Sequence, residues 1–294
     1  MIDGSPAPGT SAAVLPPGAP GKRGGLWIEV GPRAGRSRVL AVRQRVPLHV
    51  GRALYAVPSW PELAHLMVAM PTGGFVQGDH VAMDVVARAG ARAHLTSQSA
   101  TRSYRCPDQA VTQSIRLVAE GDALLEWWPE PLIPFADTDL TQTIDLVADA
   151  EATLLVADPW LAGRVARGEV HRYRRLVSTI TARRPDGALL FRDTLRVEPP
   201  LLAATRGMLG DARALATLVL VGPRVAPELE RPLVELLHEL APTSAAVSRL
   251  PNECGLVVRV LADRSDLVRQ LQRAVLTLAR ATLYGRGIWA LDKT

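Results

Sequence analysis

The sequence has 294 residues, 48% of them apolar, with a formal net charge of +5 and an isoelectric point near 9.7. That length is enough for one large domain or two ordinary ones with a sizeable core. No stretch approaches the ~18 apolar residues of a membrane span, and the N-terminus lacks the pattern of a secretory signal. Cys106 and Cys254 lie outside any C-x-x-C pattern, which argues against disulfide frameworks and structural zinc and favours a reducing cytoplasm.

The positive charge is spread along the chain rather than concentrated. No run of five or six like charges occurs, and aromatic residues make up only 4% of the sequence. Single-stranded nucleic acids are bound through basic grooves with aromatic stacking platforms, which this composition does not supply. We therefore expect no nucleic-acid ligand, and we interpret the charge as an aid to docking on an acidic protein partner.

The N-terminal part begins with a tail and continues into strands. Residues 1–24 are dominated by Pro, Gly, Ala and Ser, which predicts a disordered tail. Residues 26–30 and 37–43 alternate like two strands around a turn, and several prolines then predict loops and short strands. A β-rich scaffold domain is predicted over residues 25–200.

Three tracts in this domain follow nearly one template. Each has an apolar stretch, a small turn residue and a second apolar stretch, and the turn centres Gly90, Gly121 and Ala150 lie 31 and 29 residues apart. Units of this kind bury their apolar faces against their neighbours. The fold class predicted is mainly β, with stacked repetitive strand units in a solenoid or sandwich-like arrangement.

The last hundred residues have a mixed α/β character. Residues 215–221, 244–249 and 255–261 are predicted strands, residues 227–240 a helix, and a second helix begins near Ser265 and ends before Gly285. Residues 201–294 are thus predicted to form a smaller α+β lobe with two helices, packed on the β domain. Integration into the same core is the alternative.

Nothing in the sequence makes a convincing catalytic set. There is no G-x-S-x-G, Walker A or H-E-x-x-H motif, and no two of the six histidines lie within five residues of each other. Local histidine spacing for a metal site is therefore missing. We expect a protein that is not an enzyme and holds no tightly bound cofactor.

Two segments carry unusual polar residues. Asp79 follows a loop with Gly73, Gly74 and Gly78, and its carboxylate either accepts backbone N–H bonds or joins distant partners at a metal. Glu126 stands beside two tryptophans, which suggests either an interface anchor or a buried acid held by arginine.

A third polar tract, residues 96–104, has hydroxyls and an amide at alternating positions. Such side chains form ladders between strands, or line a wet groove or channel. The candidates in this tract are Gln98, Thr101 and Tyr104.

Four segments, in order, carry a resemblance to a known family. They are residues 71–79 (PTGGFVQGD), 96–105 (TSQSATRSYR), 125–131 (LEWWPEP) and 164–169 (RVARGE). These are similar to the G-G-x-x-x-G-D, T-T-Q-x-A-T-K-x-Y-R, L-E-W-L-P-Q-P and R-x-A-R-G-E segments of the urease accessory proteins UreD, also called UreH. The sequence departs at Gln77, Arg102 and Glu130, where the family commonly has Gly, Lys and Gln.

The resemblance implies a β-rich scaffold that binds UreF and, through UreF, the GTPase UreG, and that docks on apo-urease during nickel insertion. It implies a hetero-oligomeric complex and an internal passage for transient Ni²⁺, and the composition adds the expectation of a cytoplasmic protein without membrane contact. Asp79 and Glu126 are then the candidate metal contacts, because oxygen ligands release Ni²⁺ readily. Residues that shape or support the passage are Gly73, Gly74, Gly78, Gln98, Thr101 and Tyr104.

The fourth segment implies a different role. Arg164, Arg167 and Glu169 are expected to form an ion-pair corner, either structural or at a partner interface. Two other functions stay open on the sequence: a β-scaffold that binds a partner unrelated to urease, and a hydrolase whose carboxylates are Asp79, Glu126 or Asp158.

Overall fold

A computed structural model describes residues 20–199, 209–240 and 244–286. Most of the predicted tail, residues 1–19, lies outside the described residues. Within the described ranges two helices form, α1 (Val225–Leu240) and α2 (Ser265–Tyr284). The strands are β1 (Arg23–Arg33), β2 (Arg36–Arg45), β3 (His49–Val50), β4 (Ala64–Ala69), β5 (Gly74–Phe75), β6 (His80–Ala87), β7 (Arg92–Ser97), β8 (Thr101–Ser103), β9 (Val111–Ala119), β10 (Leu124–Trp127), β11 (Leu132–Pro134), β12 (Asp139–Ala148), β13 (Thr153–Leu161), β14 (Arg175–Arg183), β15 (Leu189–Val197), β16 (Ala214–Val221), β17 (Ser244–Arg249) and β18 (Gly255–Ala262).

The strands from β4 to β14 wind as coils of a β-solenoid. β4, β7, β10 and β13 pair in parallel along one side, and β6, β9, β12 and β14 pair in parallel along the other. The short strands β5, β8 and β11 stack at the bend between the two sides. The prediction of stacked, repetitive β units is confirmed.

The interior of the solenoid is built from ladders of equivalent residues. Leu26, Met83, Ile115, Ile144 and Ile180 occupy matching positions on five adjacent parallel strands and are buried. Alternate residues of each strand face this interior, as the pleat of a strand requires. Each such side chain contributes roughly 1.5–3 kcal/mol when fully buried, so the coils depend on their neighbours for stability.

The repeated turns stack on one another. The backbone N–H of Gly90 donates to Asp122 Oδ1 at 2.7 Å, and the N–H of Gly121 donates to an oxygen of Asp149 in the next turn. Gly90 has φ +77° and Gly121 φ +55°, a backbone region that glycine adopts without strain. The spacing of the small turn residues in the sequence therefore reports the length of one coil.

The sheet that contains β6, β9, β12 and β14 is extended at one edge by β1 and β2, which pair antiparallel with each other. β15 forms its opposite edge. β1 begins at Arg23, so the first strand starts two residues before the predicted domain start at residue 25. Gly24, one of the small residues counted toward the predicted tail, has a packing role, because a Cβ there would lie 2.1 Å from Cδ of Pro47.

The C-terminal strands continue the first sheet of the solenoid. β16 pairs antiparallel with β13, β18 with β16, and β17 with β18. The last hundred residues are thus joined to the β region through one continuous sheet, which is the integrated arrangement that the sequence left open. The two helices then cover the outer face of this sheet and form a second apolar core with it.

Both helices lie where the apolar periodicity predicts them. α2 ends at Tyr284, and Gly285, the residue that follows, has φ +61° and donates its N–H to the carbonyl of Ala281. α1 starts at Val225, two residues earlier than predicted. On its apolar face Leu237 is buried, whereas Leu236 is only partly buried. No helix in the described ranges is long and apolar enough to cross a membrane.

Candidate functional site

Glu126 lies between the solenoid and the helices. In β10, Leu125 and Trp127 face the solenoid interior, whereas Leu124 and Glu126 face the helix layer. Glu126 is 0% exposed, and Trp128 beside it is buried as well. The strand alternation therefore places a carboxylate inside the second core, where an ionised group needs partners.

Arg280 of α2 supplies the main partner. Its Nε lies 2.9 Å from Oε1 of Glu126, and a second guanidinium nitrogen bonds Oε2, so the pair is bidentate. His94 of β7 lies in register with Glu126, and its Nδ1 is 2.7 Å from Oε2. His65 of β4 is next in register, with its ring centroid 5.3 Å from that of His94. We call these four residues the Glu126 cluster.

The electrostatics of this cluster fix its charge state. Burial alone would raise the pKa of Glu126, but Arg280 and His94 outweigh it and lower that pKa to about 2. Burial, together with His94 and Arg280, lowers the pKa of His65 to about 3. At neutral pH the cluster thus contains an ionised carboxylate, its guanidinium partner and a neutral His65.

The cluster binds α2 to the solenoid. Glu126 and Arg280 are 154 residues apart in sequence and join the sheet to the helix. Nearby, Trp128 Nε1 donates to the carbonyl of Gln272, whose side-chain amide donates to the carbonyl of Pro129. Glu126 is fully buried and both of its carboxylate oxygens accept hydrogen bonds from Arg280 or His94, so in this arrangement the carboxylate is not open to a cation from solvent.

A cleft of about 330 Å³ borders the cluster from the outside. It lies between α2 and the ends of β7 and β10, and its lining includes His94, Thr96, Arg273 and Arg280. Two members of the Glu126 cluster therefore border a cavity. A solute in the cleft would meet Arg280 and His94 beside the buried carboxylate.

Asp79 is buried and serves the loop in which it lies. Its Oδ1 accepts the N–H of Lys22 at 2.9 Å, and its Oδ2 accepts the N–H of Val76 at 3.0 Å. Gly78 beside it has φ +71°. The carboxylate thus connects the start of β1 to the loop before β6, which is the loop-forming role considered for it from the sequence.

Several of the predicted passage residues meet at the bend of the solenoid. Gly73, Gly74, Gln98 and Thr101 line one cavity of about 80 Å³, a size that admits water. The hydroxyl of Tyr104 lies 3.6 Å from the position that a Cβ on Gly73 would take.

This cavity at the bend and the Glu126 cluster are on different sides of the sheet. Trp127 lines the cavity and faces the solenoid interior, whereas Glu126 faces the helices. The structure therefore does not bring Glu126 together with Gln98 and Thr101 in one cavity.

The fourth polar segment folds around an ion pair. Arg164 Nε lies 2.8 Å from Oε2 of Glu169, a second guanidinium nitrogen contacts Oε1, and the guanidinium stacks on the ring of Phe135 at 4.1 Å. Gly163 makes the tight bend possible, because a Cβ there would lie 2.4 Å from the carbonyl oxygen of Glu169. Arg167 lies in the intervening turn and is exposed.

Asp158 is buried in the interior of the solenoid, away from the Glu126 cluster. On the interior face of β13, its Oδ1 accepts bonds from Gln142 Nε2 at 2.9 Å and Trp160 Nε1 at 2.8 Å. Burial raises its pKa, partly offset by hydrogen bonds from Ser178, Gln142 and Trp160. Asp158 and Glu126 thus face opposite sides of one sheet, and in the described part of the chain none of the three carboxylates considered for a hydrolase lines one of its four main cavities.

The sequence alone did not identify the other members of the Glu126 cluster. These members are His65, His94 and Arg280. His65, His94 and Glu126 are 29 and 32 residues apart, close to the spacing of the repeated turns. This spacing of about one coil predicts that the three side chains stack on one face of the sheet. It is the sequence signal by which the two histidines could have been found. Across the described ranges, no group of three or more His, Cys, Asp or Glu side chains is arranged to hold a metal ion.

Comparison with known proteins agrees with the four segments. The profile of the UreD urease accessory protein family matches residues 22–290. The urease accessory protein UreD 2 of Streptomyces griseus subsp. griseus is 36% identical over 280 residues, covering 92% of this chain and 94% of that protein. UreD of Mycolicibacterium gilvum is 33% identical over 262 residues, covering 88% and 94% of the two chains.

A third relative, urease accessory protein UreD 1 of Methylorubrum populi, is 32% identical over 257 residues and 87% of each chain. These matches extend over the solenoid, the C-terminal strands and both helices. The chain belongs to the UreD family of urease accessory proteins.

Proposed function

We propose that this protein is a scaffold that assists the insertion of nickel into apo-urease. In this proposal it acts in the cytoplasm, in a hetero-oligomeric complex with UreF and, through UreF, with UreG. The observation that carries the proposal is the match to the UreD urease accessory family over residues 22–290 of the chain. The protein contributes no catalytic step of its own.

The architecture supports a scaffold role. A solenoid of stacked coils gives long, flat sheet faces and a rigid frame, and such surfaces suit the binding of several proteins at once. The Glu126 cluster and the apolar core around it fix α2 on this frame. The surfaces of α2 and of the sheet are therefore fixed relative to each other, and so are partners bound to them.

The proposal includes transient contact with Ni²⁺ as cargo. Asp79 and Glu126 offer carboxylate oxygens, and Gln98, Thr101 and Tyr104 offer weaker neutral ones, which suits a metal that has to be released. For Glu126 the geometry adds a condition: Arg280 occupies both carboxylate oxygens, so its guanidinium has to swing out before nickel binds.

The scaffold proposal is tested by deleting the gene in cells that carry the urease operon, restoring it, and measuring nickel in purified urease. We expect urease of normal amount without nickel in the deletion strain, and normal nickel after restoration. Fully metallated urease in the deletion strain would contradict the proposal.

The nickel contact at Glu126 needs a variant that leaves no buried charge unpaired. Glu126→Gln combined with Arg280→Gln removes both charges and keeps hydrogen-bonding groups on both sides. If this double variant accumulates normally but does not restore nickel in urease, Glu126 belongs to the passage. If it restores nickel fully, the scaffold proposal stands and Glu126 has only its structural role.

A further inference from the structure

An arginine-lined groove of about 520 Å³ lies beside the Arg164–Glu169 corner. Five arginines and two aspartates line it, and apolar side chains make up part of its lining. We call this surface the arginine groove. Its basic residues are Arg102, Arg164, Arg167, Arg213 and Arg264.

Two of these arginines are already neutralised. Arg164 pairs with Glu169, and Arg264 pairs with Asp266, whose Oδ1 lies 3.1 Å from its Nε. The remaining three, Arg102, Arg167 and Arg213, are exposed, and in the described ranges no carboxylate lies within ion-pair distance of their guanidinium groups. The groove thus has guanidinium groups available for an external anion.

The apolar part of the groove comes from strand and turn residues. Ile133, Phe135, Leu161 and Val165 contribute to the lining and are each partly exposed. A lining that mixes arginines with apolar side chains fits a ligand that carries both carboxylates and apolar side chains. Guanidinium groups match carboxylates especially well, because their planar donors bind both oxygens.

The size of the groove argues for a peptide segment rather than a single ion. Pockets of roughly 300–1,000 Å³ accept ligands of drug size, and the volume here falls in that range. One phosphate or carboxylate would leave most of the apolar lining uncovered. A short extended segment with alternating acidic and apolar residues would contact both.

The chain itself is a poor source of such a segment. Outside the described ranges the sequence holds only two acidic residues, Asp3 and Asp292, and no five consecutive residues anywhere contain three carboxylates. The net charge of +5 also disfavours a second copy as the occupant. An acidic segment therefore has to come from another protein.

We infer that the arginine groove docks an acidic, partly apolar segment of a partner protein. The inference rests on the proposed scaffold role and adds the chemistry of one partner contact. Its test measures peptide binding, whereas the test of the proposed function measures nickel in urease. Each can therefore fail while the other succeeds.

The test uses fluorescence anisotropy with the full chain and a labelled peptide of sequence ELEELE. A peptide of sequence QLQQLQ controls for charge, and ESEESE controls for the apolar residues. The groove variant carries Arg102→Gln, Arg167→Gln and Arg213→Gln. The matched control carries Arg33→Gln, Arg38→Gln and Arg52→Gln, which removes three exposed arginines that do not line the groove.

We expect saturable binding of ELEELE, binding of ESEESE that is several-fold weaker, and none of QLQQLQ. The groove variant should bind ELEELE at least about tenfold more weakly, and the control variant within about twofold of the wild type. Thermal unfolding of both variants shows whether they keep the fold. If the groove variant is destabilised, the single change Arg167→Gln replaces it, with an expected loss of about threefold.

Four results would overturn the inference. The first is no binding of ELEELE, and the second is equal loss in the groove and control variants, which would indicate general attraction to a basic protein. The third is displacement of the peptide by inorganic phosphate but not by sodium chloride of equal ionic strength, which would indicate a small-anion site. The fourth is a dimer in sedimentation that the groove variant dissociates, which would make a second copy the occupant.

Discussion

At the scale of single residues, Glu126 has a role in stability that is separate from any role with nickel. A buried ion pair contributes little net stability, yet removing one partner leaves the other charge buried and uncompensated. Glu126 is 0% exposed and Arg280 is 2% exposed, so water cannot solvate the charge that is left when one partner is removed. Breaking the pair therefore lowers the free energy of unfolding. A loss of urease activation in a single Glu126 variant would therefore not by itself identify a nickel ligand.

We predict that Glu126→Ala lowers the free energy of unfolding by about 3–5 kcal/mol, because it leaves the Arg280 guanidinium buried without its carboxylate. Urea denaturation at neutral pH measures the change. The matched control is Glu120→Ala, which removes a surface carboxylate paired with Arg88 and should cost at most about 1 kcal/mol. Equal costs for the two variants would contradict the buried pair.

His65 predicts a pH dependence of stability. Its pKa is about 3 in the folded chain, against 6.5 for an ordinary histidine, so between these values the unfolded chain binds a proton that the folded chain does not. The contribution of the neutral His65 to the free energy of unfolding is therefore fully present above pH 6.5, and it is lost as the pH falls toward 3. The low pKa of Glu126 adds a further loss below its ordinary value of 4.5.

We predict that His65→Phe, which keeps a ring against His94, reduces the loss of stability between neutral pH and pH 5 by about 2 kcal/mol. Urea denaturation of the wild type and the variant at both pH values gives this difference. The raised pKa of Asp158 acts in both proteins and cancels. Parallel pH profiles for the two proteins would show that His65 does not keep its low pKa.

At the scale of elements, the bend between the two sides of the solenoid depends on a close backbone approach. Gly74 in β5 has φ +153°, and a Cβ there would lie 2.3 Å from the carbonyl oxygen of Arg102 in β8. The pairing of these short strands therefore requires glycine at this position for space as well as for conformation.

Gly74→Ala should accordingly destabilise the fold by more than about 2 kcal/mol, since the two strands have to separate. Gly35→Ala is the control: its φ of +77° gives backbone strain of about 1 kcal/mol, but its Cβ would have open space. Thermal unfolding of the two variants compares them directly. A smaller effect at Gly74 than at Gly35 would show that the bend tolerates a side chain.

Much of this element order was predictable from the sequence, and specific residues show why. The turns at Gly90 and Gly121 repeat at the length of one coil, and Ser265 and Gly285 mark the ends of α2 by apolar periodicity and capping. Local patterns of this kind fix which segments are strands or helices. They do not fix which distant segments meet.

The Glu126 cluster shows where prediction from the sequence stops. The sequence suggests a buried acid held by arginine, but the chain has many arginines, and Arg280 lies 154 residues away. Only the packing of α2 on the sheet selects that arginine. In the same way, the family resemblance groups Glu126 with Gln98 and Thr101 in one passage, whereas Gln98 and Thr101 line the cavity at the bend and Glu126 faces the helix layer.

At the scale of the whole molecule, the described strands form two sheets, and the helix layer covers the one that continues into the C-terminal strands. β13 joins the solenoid to the C-terminal strands, and α2 is fixed to the solenoid through the Glu126 cluster. A partner bound at the helix layer and a partner bound at the arginine groove would thus be held at a fixed distance. In the proposed scaffold role, a fixed distance of this kind would hold two partners in one relative position.

The central claim is tested most directly with purified components. Apo-urease from cells lacking this protein is incubated with Ni²⁺, UreF and UreG, with or without the full chain, and nickel retained by the reisolated urease is measured by mass spectrometry. We predict that nickel content and urease activity rise together only when the full chain is present. Equal nickel content with and without it would contradict the scaffold function.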